Sequence, residues 1–517
     1  MGSKQLKLGV ILSYVSTALH MLLSLVYTPV MLRLLGKSEY GLYTLVSSVV
    51  SYLSLFGLGF TGAYLRFYSR RKAANDIRGI AQLNGMFMTI YLVMAAAAFL
   101  CGMILVQFPR QVFGGNLTDS ELQTAQVLMI ILVANIAISL PSGVLSSIVS
   151  AHEKFLFQRI LSLAGTLCSP LLTLPLLLMG YGSVAMVCVS TFVTVATLIA
   201  NIIYCKKVLH APFAFDGFDF HVLREIAGFS FFLFLNMIID QVNWSVDKFI
   251  LGHVSGTGAV AVYGVGAGIN TMFIGFSTAI SSVFAPRVNR IAAENAPDMN
   301  MQFTQLMTRV GRIQYLVLML IASGFVTFGR FFITDIYSSA EYADAYPVAM
   351  LLILPVFIPL IQNVGIEIQR SVNKHRVRSV IYMGMAVFNT LISIPFAQRY
   401  GAIGSAIGTA ISLVLANGLI MNIYYQKGIG LHMGYFWKSI LSLSKGMIIP
   451  ALTGFLIMKY ITFNNYGLYF GLIAAYTAVY CGSMWLFGMN EEEKLLVKRP
   501  FFAIAAKLKG KRHADVQ

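Results

Sequence analysis

Charged residues are scarce in this sequence. Asp, Glu, Lys and Arg make up 11% of its 517 residues, against about 25% in an average soluble domain. Hydrophobic residues account for 57%. A soluble fold of this length cannot bury so much apolar surface, because its outside has to be covered by polar groups. The composition therefore excludes a soluble protein and predicts an integral membrane protein.

Acidic residues are rarer than basic ones, with 20 Asp and Glu against 37 Lys and Arg, which gives a net charge of +17. The cations fall in short clusters between apolar runs, which is typical of the positive-inside rule rather than of a nucleic-acid-binding surface. Catalytic signatures are also lacking, since there is no Walker phosphate loop, no HExxH and no GxSxG. The sequence therefore predicts no nucleic-acid partner, no ATP hydrolysis and no enzymatic activity.

Cysteine is rare as well, and its five residues show neither a CxxC pair nor metal-ligand spacing. All five lie within apolar stretches or at their ends, where a small buried side chain is the expected role. We therefore expect no metal site and no cofactor. Lys4 and Lys7 precede an apolar run that is too long for a signal peptide and has no small-residue cleavage site, so we expect it to remain as the first span.

Long apolar runs are abundant. A spanning helix needs about 20 mostly apolar residues, and helices satisfy their own backbone groups inside a bilayer. The sequence thus predicts an all-α protein of fourteen transmembrane helices. Their ranges are 8–32, 42–65, 82–107, 122–147, 156–179, 183–205, 227–250, 259–285, 311–334, 346–369, 378–397, 402–425, 441–462 and 466–487.

The distribution of Lys and Arg sets the orientation. With the N-terminus inside, all but seven of the 37 cations fall on the inner side. The outer seven are Arg33, Lys37, Arg110, Lys248, Arg330, Arg399 and Lys459. This bias favours an even number of spans with both termini in the cytoplasm.

The two halves of the chain share one register. Residues 151–154 match 371–374, Tyr181-Gly182 match Tyr400-Gly401, and the ends of spans six and twelve match, each 219 to 221 positions apart. Near the start, Leu35-Gly36 and Tyr43 are matched to Leu251-Gly252 and Tyr263. The pattern predicts two six-helix lobes related by a pseudo-twofold axis along the membrane normal, with the substrate path between them and two extra C-terminal helices.

This repeat defines the predicted domains. They are an N-lobe at 1–207, a linker at 208–225, a C-lobe at 226–427, spans thirteen and fourteen at 428–490, and a basic cytoplasmic tail at 491–517. The linker fits either a solvated loop or an amphipathic surface helix.

Span seven carries the most informative polar residues. Asn236, Asp240, Asn243 and Asp247 share one helical face. A carboxylate at the bilayer centre costs about 3 kcal/mol on insertion scales, so the stripe should face a watery cavity or a partner. Asp240 is either a substrate or coupling site or part of a structural pair. Asp247 and Lys248 lie near the outer end, where snorkelling is the expectation.

Three arginines and one histidine are further candidates for substrate binding. Arg66 ends span two between tyrosines, and a guanidinium there can hold a phosphate through paired hydrogen bonds. Its alternative role is a cytoplasmic anchor. Arg309 and Arg312 open span nine in a similar position. His20 lies on the polar stripe of span one, where a hydrogen-bonded core residue is the alternative.

Three motifs carry a resemblance to a known family. Residues 34–43, LLGKSEYGLY, resemble the turn after the first span of polysaccharide flippases of the O-antigen and teichoic-acid type. The run Gly57–Arg66 resembles the end of their second span, and Asp247–Gly252 followed by Val262-Tyr263 resembles their seventh. The family lies in the multidrug/oligosaccharidyl-lipid/polysaccharide exporter superfamily.

The resemblance implies two six-helix lobes around a V-shaped cavity that opens alternately to each side. Members of the family move undecaprenyl-pyrophosphate-linked saccharides across the bacterial inner membrane, and the resemblance implies that cations hold the pyrophosphate, here Arg66, Arg309 and Arg312. We therefore expect a flippase whose partners are a lipid-linked oligosaccharide, the bilayer, and glycosyltransferases or a polymerase of the same pathway. The alternatives are a cation-coupled multidrug exporter, disfavoured because residues 8–32 lack Asp and Glu, and a non-transporting scaffold of glycan synthesis.

Overall fold

A computed structural model describes residues 2–57, 60–216, 220–294, 296–463, 465–496 and 498 of the chain, with side chains left out at 2–18, 60–61, 220–222, 227–233 and 236. Every regular element in these ranges is helical, which confirms the all-α prediction. The α-helices are α1 (Gly2–Val50), α2 (Phe60–Ala73), α3 (Ile77–Gln107), α4 (Pro109–Phe113), α5 (Asp119–Ala151), α6 (Phe155–Leu178), α7 (Gly182–Lys207), α8 (Phe220–Ser281), α9 (Ala285–Glu294), α10 (Met299–Phe331), α11 (Ala345–Ile361), α12 (Val364–Ser371), α13 (His375–Leu413), α14 (Met421–Ile423), α15 (Met433–Leu443), α16 (Ile448–Tyr460) and α17 (Tyr466–Ser483).

Ten helices in the described ranges are long and apolar enough to cross a membrane, or eleven if the bent pair α11 and α12 is one span. Three of them, Leu19–Ala73, Met237–Glu294 and His375–Ile429, have 55, 58 and 55 residues. One crossing needs only about 20 residues at 1.5 Å each. Each of the three also contains a glycine with non-helical backbone angles. Two crossings in each would agree with fourteen spans, a number that stays a prediction.

Two of these glycine kinks reveal the internal repeat in the backbone itself. Gly36 has φ 75° and ψ 173°, and Gly256, which lies 220 positions later, has φ 78° and ψ −177°. This region of backbone space is open only to glycine. The match at Gly252 predicted from the sequence is wrong by one helical turn, because Gly256 carries the turn and Gly252 lies inside the helix.

A second pair of turns has the same register. Glu153 (φ 59°) and Asn373 (φ 54°) are both left-handed and both follow the predicted fourth span of a repeat. The asparagine that ends the last span of each repeat also has the same role. Asn201 donates to Ser146 Oγ at 3.2 Å, and Asn422 accepts from Gln362 Nε2 at 2.9 Å, so each ties the sixth span to the fourth. The structure thus supports the duplication at backbone and side-chain level.

Contacts divide the chain into two compact units, and the first comprises Met1–Gly268, Thr334–Ala349 and Tyr382–Ser412. In this unit α3 and α7 both pack on α5, and α1 packs on α6. Its buried core includes Tyr64, Phe67, Phe87 and Ile148. The predicted linker is not helical at 208–216. It lies against α3, where the Ala214 amide donates to the Ala81 carbonyl oxygen at 3.0 Å.

The second unit comprises Ile269–Ile333, Met350–Ile381 and Leu413–Gln517. Here α10 packs against α15, α16 and α17, so the two predicted C-terminal spans have a clear partner. Phe328 stacks edge-on against Tyr469 and Tyr476, with ring centroids 5.7 Å apart in both pairs. The hydroxyls of Tyr469 and Tyr480 each donate to a backbone carbonyl of α10, which satisfies these buried polar groups inside an apolar interface.

Candidate functional site

The most deeply buried carboxylate of span seven is Asp247, which lies in α8 and is 1% exposed. Its two oxygens accept hydrogen bonds from Ser405 Oγ at 2.7 Å, Thr409 Oγ1 at 2.9 Å and the Tyr263 hydroxyl at 2.9 Å. Ser405 and Thr409 are four residues apart, so both hydroxyls project from one face of α13. A buried carboxylate surrounded by hydroxyl oxygens is a set of ligands suited to a proton or a small hard cation.

Two residues extend this cluster. Ser393 donates to Asn389 Oδ1 at 3.1 Å within α13 and also interacts with Asp247. Lys248 interacts electrostatically with the carboxylate of Asp247. The expectation that Asp247 snorkels to the outer interface is wrong, because three hydroxyl donors hold its carboxylate in the protein interior. The sequence signal for this role is a set of polar residues in the predicted spans eleven and twelve. They are Asn389, Ser393, Ser405 and Thr409, and all four are buried in α13.

The other three polar residues of the span-seven face differ in exposure where the structure describes them. Asp240 is exposed and takes part in an interaction, and Asn243 is half-buried. The side chain of Asn236 lies outside the described residues. Beside them, Gln241 Nε2 donates to Ser51 Oγ at 2.5 Å and to Ser245 Oγ at 2.8 Å. The substrate-binding role of Asp240, Asn236 and Asn243 stays a prediction.

His20 is exposed in α1 and lines a cavity of about 620 Å³. The walls of this cavity come from α1, α6 and α7 in the first unit. Ser24, Tyr27 and Thr28 of α1 line it together with hydroxyl-bearing residues of α6. The described part of the polar stripe of span one, from His20 to Thr28, therefore faces open space in the protein.

Arg66 is exposed on α2 and takes part in an interaction, while its neighbours anchor the opposite face of that helix. Tyr64 is buried and donates to Asn84 Oδ1 at 2.8 Å. The Tyr68 hydroxyl lies 3.1 Å from His152 Nε2. These contacts fix the rotation of α2, so that Arg66 is presented away from the core.

Arg309 and Arg312 both line a second cavity, of about 610 Å³, on α9, α10, α15 and residues 490–496 of the second unit. Arg309 is 3.6 Å from Glu492 in a largely exposed pair. Arg312 is buried and meets both oxygens of Glu493, at 2.5 and 2.9 Å, and also donates to the Ser439 carbonyl and to Ser442 Oγ. The two arginines are thus in different chemical situations despite their proximity in sequence.

A polar network links residues of the two repeats within the first unit, on the side predicted to face outward. Glu121 Oε1 accepts from Ser38 Oγ at 2.6 Å and from Thr257 Oγ1 at 2.9 Å, and the two hydroxyls are 3.3 Å apart. Gly41 lies against the Thr257 carbonyl, where a β-carbon would collide with the oxygen. Close approach at a glycine is what lets these two helices pack here.

The same face carries two of the seven outer cations. Arg33 donates to the backbone carbonyls of Asp335 at 2.7 Å and Ser338 at 3.3 Å. Lys37 donates to the Glu341 carbonyl at 2.8 Å. Backbone carbonyls at the end of a helical segment attract cations. These contacts tie the first repeat to a short segment of the second through backbone carbonyl groups.

Solved structures of similar fold place this architecture in a known class. One is the lipid II flippase MurJ in an inward closed conformation. Its match to this chain has a TM-score of 0.72 and 14% identity, and it covers 96% of this chain and 99% of the MurJ chain. Another is an inward-facing multidrug resistance MATE transporter of the MOP superfamily. Its match has a TM-score of 0.60 and 14% identity, and it covers 82% of this chain and 96% of the transporter chain. The chain therefore has the two-lobe fold of the multidrug/oligosaccharidyl-lipid/polysaccharide exporters.

The family is narrower than this class. The model of the family described as Polysaccharide biosynthesis protein matches residues 6–292, more than half of the chain, so the chain belongs to that family. A Shigella flexneri protein named as an O-antigen transporter is 20% identical over 403 residues, which cover 76% of this chain and 91% of the relative. The resemblance to polysaccharide flippases is confirmed, and the chain is a multi-pass membrane transporter of polysaccharide biosynthesis.

Proposed function

We propose that this protein is a flippase that moves an undecaprenyl-pyrophosphate-linked oligosaccharide from the inner to the outer leaflet of the bacterial cytoplasmic membrane. The family membership carries the proposal, because a polysaccharide biosynthesis protein with a transporter fold needs a membrane-bound cargo. The lipid tail stays in the bilayer while the polar head group crosses through the protein. Both termini lie in the cytoplasm, and glycosyltransferases or a polymerase of the pathway act beside it.

Exposed cations receive the pyrophosphate on the inner side in this proposal. Arg66 is presented away from its core, and Arg309 holds Glu492 only in an exposed pair that an anion can replace. Arg287 and Arg290 line the same cavity as Arg309. Arg312 is assigned a positioning role instead, because displacing Glu493 would leave a buried carboxylate without its partner.

The Asp247 cluster is the proposed coupling site. Proton or cation binding at a buried carboxylate changes the charge that the interior must hold, and this shifts the balance between two arrangements of the surrounding helices. Asp247 contacts Ser405 and Thr409 of α13 and Tyr263 beyond the Gly256 kink. Loading and release at this carboxylate would therefore act on both helical segments at once.

Reconstitution tests the proposal directly. Purified protein is inserted into vesicles with a fluorescent undecaprenyl-pyrophosphate-linked sugar, and exposure of the dye to a membrane-impermeant quencher reports its leaflet. We expect the probe to move between leaflets only in vesicles that contain the protein, and faster with an imposed ion gradient. Vesicles that keep the probe in one leaflet under every gradient would exclude a flippase and favour a scaffold.

The MATE-type fold makes a multidrug exporter the second candidate. A deletion strain distinguishes the two. Loss of surface polysaccharide without a change in drug sensitivity supports the flippase, whereas selective hypersensitivity to cationic dyes with intact polysaccharide supports the exporter.

A further inference from the structure

The cavity between α1, α6 and α7 has an unusual lining for a protein of this net charge. Its volume is about 620 Å³, within the range of about 300–1,000 Å³ that small ligands occupy. Among the described residues that line it, His20 is the one titratable group other than a tyrosine, and none is Asp, Glu, Lys or Arg. The described lining thus combines hydroxyl and amide groups with apolar groups and is almost uncharged, in contrast to the arginine-lined cavity of the second unit.

The polar groups come from two helical stripes. Ser162, Thr166 and Ser169 lie at i, i+4 and i+7 on α6, and they face the stripe of Ser24 and Thr28 on α1. Small polar residues in membrane helices usually bring helices into close contact. Here α1 packs on α6, and both stripes also border open space, so their polar groups are accessible to a ligand.

Two polar side chains of the lining, Thr166 and Gln158, make hydrogen bonds that set their orientation. Thr166 Oγ1 donates to the Ser162 carbonyl at 2.9 Å, which leaves its oxygen to accept a hydrogen bond. Gln158 at the end of the cavity donates to Asn201 Oδ1 at 3.2 Å, and Asn201 in turn donates to Ser146. Such secondary contacts orient a polar side chain before a ligand arrives.

These observations point to a sugar rather than a phosphate. Phosphate is recognised by guanidinium, ammonium and backbone amide donors, and the described residues of the cavity lining contribute no guanidinium or ammonium group. A sugar ring presents hydroxyls that both donate and accept, together with an apolar face. We propose that this cavity binds a neutral sugar of the cargo, a hexose or N-acetylhexosamine, and so contributes to its selection; the assignment rests on the flippase function proposed above.

The test uses two variants and a matched control. Thr166→Val removes one hydroxyl of the cavity with little change of shape. Thr453→Val is the control, because Thr453 donates to the carbonyl four residues earlier in the same way, but it is half-buried on α16 and is not among the residues that line the cavity. Gly165→Leu fills the cavity, since the added β-carbon would meet only Val193, at 3.4 Å. Thermal unfolding of each purified variant confirms folding.

Two lipids serve as probes in nanodiscs, undecaprenyl pyrophosphate and undecaprenyl pyrophosphate bearing one N-acetylglucosamine. We expect the wild type to bind the glycosylated lipid more tightly than the bare one. Thr166→Val should reduce that preference about two- to tenfold, the contribution of one hydrogen bond, while Gly165→Leu abolishes it and Thr453→Val leaves it unchanged.

The preference, and not the affinity itself, decides the proposal. Equal losses for both lipids, or an unchanged preference in folded Thr166→Val and Gly165→Leu variants, would overturn the sugar assignment. Wild-type protein that moves both lipids between leaflets in the vesicle assay, but binds them equally in nanodiscs, would exclude the cavity as a sugar site and leave the flippase function intact. Wild-type protein that moves neither lipid would remove the flippase itself.

Discussion

At the scale of single residues, chemical type and environment have to be known together. Asp240 and Asp247 share one face of span seven in the sequence, yet Asp240 is exposed and Asp247 is 1% exposed. The difference arises because α13 supplies hydroxyl donors to Asp247. Two carboxylates seven residues apart therefore have different capacities for binding a proton or a cation.

Asp247→Asn tests the coupling role of this carboxylate. The amide keeps the size of the side chain but cannot change its charge, so flipping should lose its response to proton or sodium gradients and slow at least about tenfold. Initial rates in vesicles under opposite gradients measure this. Asp298→Asn, a change at an exposed residue before α10, is the control and should behave as the wild type. A gradient response that survives Asp247→Asn would contradict the assignment.

Arg66→Glu tests the proposed contact with pyrophosphate. A charge-assisted hydrogen bond contributes about 1.5–3 kcal/mol, so its loss should lower the flipping rate about 10- to 100-fold and reduce surface polysaccharide. Arg66→Lys should give an intermediate rate, because an ammonium cannot form the paired contact. Arg70→Glu makes the same charge change at an exposed position of the same helix and serves as the control. Equal defects in both charge reversals would mean that net inner charge, and not Arg66, matters.

At the scale of elements, a buried ion pair holds the segment after α17 onto α10. Glu493 accepts from Arg312 through both oxygens, and its backbone amide donates to Asn490 Oδ1 while Glu493 Oε2 accepts from the Asn490 amide. This reciprocal arrangement is a capping box at the start of a helical turn. The ion pair and the cap therefore form together.

The two neighbouring ion pairs give a matched comparison of stability. Arg312 and Glu493 are 7% and 6% exposed, so Arg312→Ala should lower the free energy of unfolding by about 3–5 kcal/mol. Arg309 and Glu492 are 44% and 71% exposed, so Arg309→Ala should lower it by about 0–1 kcal/mol. Thermal unfolding in detergent measures both shifts. Replacing Arg312 and Glu493 together by Met should restore most of the loss, and failure to do so would count against an ion-pair origin.

At the scale of the whole molecule, the proposed alternating access predicts that the two repeats separate on the side predicted to face outward. The network of Ser38, Glu121 and Thr257 joins residues of both repeats there. Ser38→Cys with Thr257→Cys, in a chain whose five free cysteines are first replaced, should form a disulfide on oxidation because the hydroxyl oxygens are 3.3 Å apart. We expect the cross-link to stop flipping and a reductant to restore it.

The matched control for this experiment shares one substitution. Ser38→Cys alone, in the same cysteine-replaced chain, cannot form the cross-link and should leave flipping intact under the same oxidant. Full flipping by the Ser38–Thr257 cross-linked protein would show that this face does not open.

Much of this protein could be predicted from its sequence alone. Apolar length, the spacing of cations and the repeat register are properties of neighbouring or regularly spaced residues. They were therefore sufficient for the membrane class, the helical fold and the pairing of halves, including the match of residues 151–154 to 371–374. The left-handed backbone that Glu153 and Asn373 share within that match came from the structure. The Glu367–Arg370 pair, one turn apart, was predictable for the same reason and is 2.8 Å long.

Only the tertiary structure decided the chemistry of the individual polar groups. Asp247 meets Ser405 across 158 positions and Arg312 meets Glu493 across 181. The polar residues of span one likewise line a cavity only because α6 and α7 form its other walls. Periodicity states which face of a helix is polar but not which helix faces it. Burial, charge pairing and access to a ligand are set by that second helix.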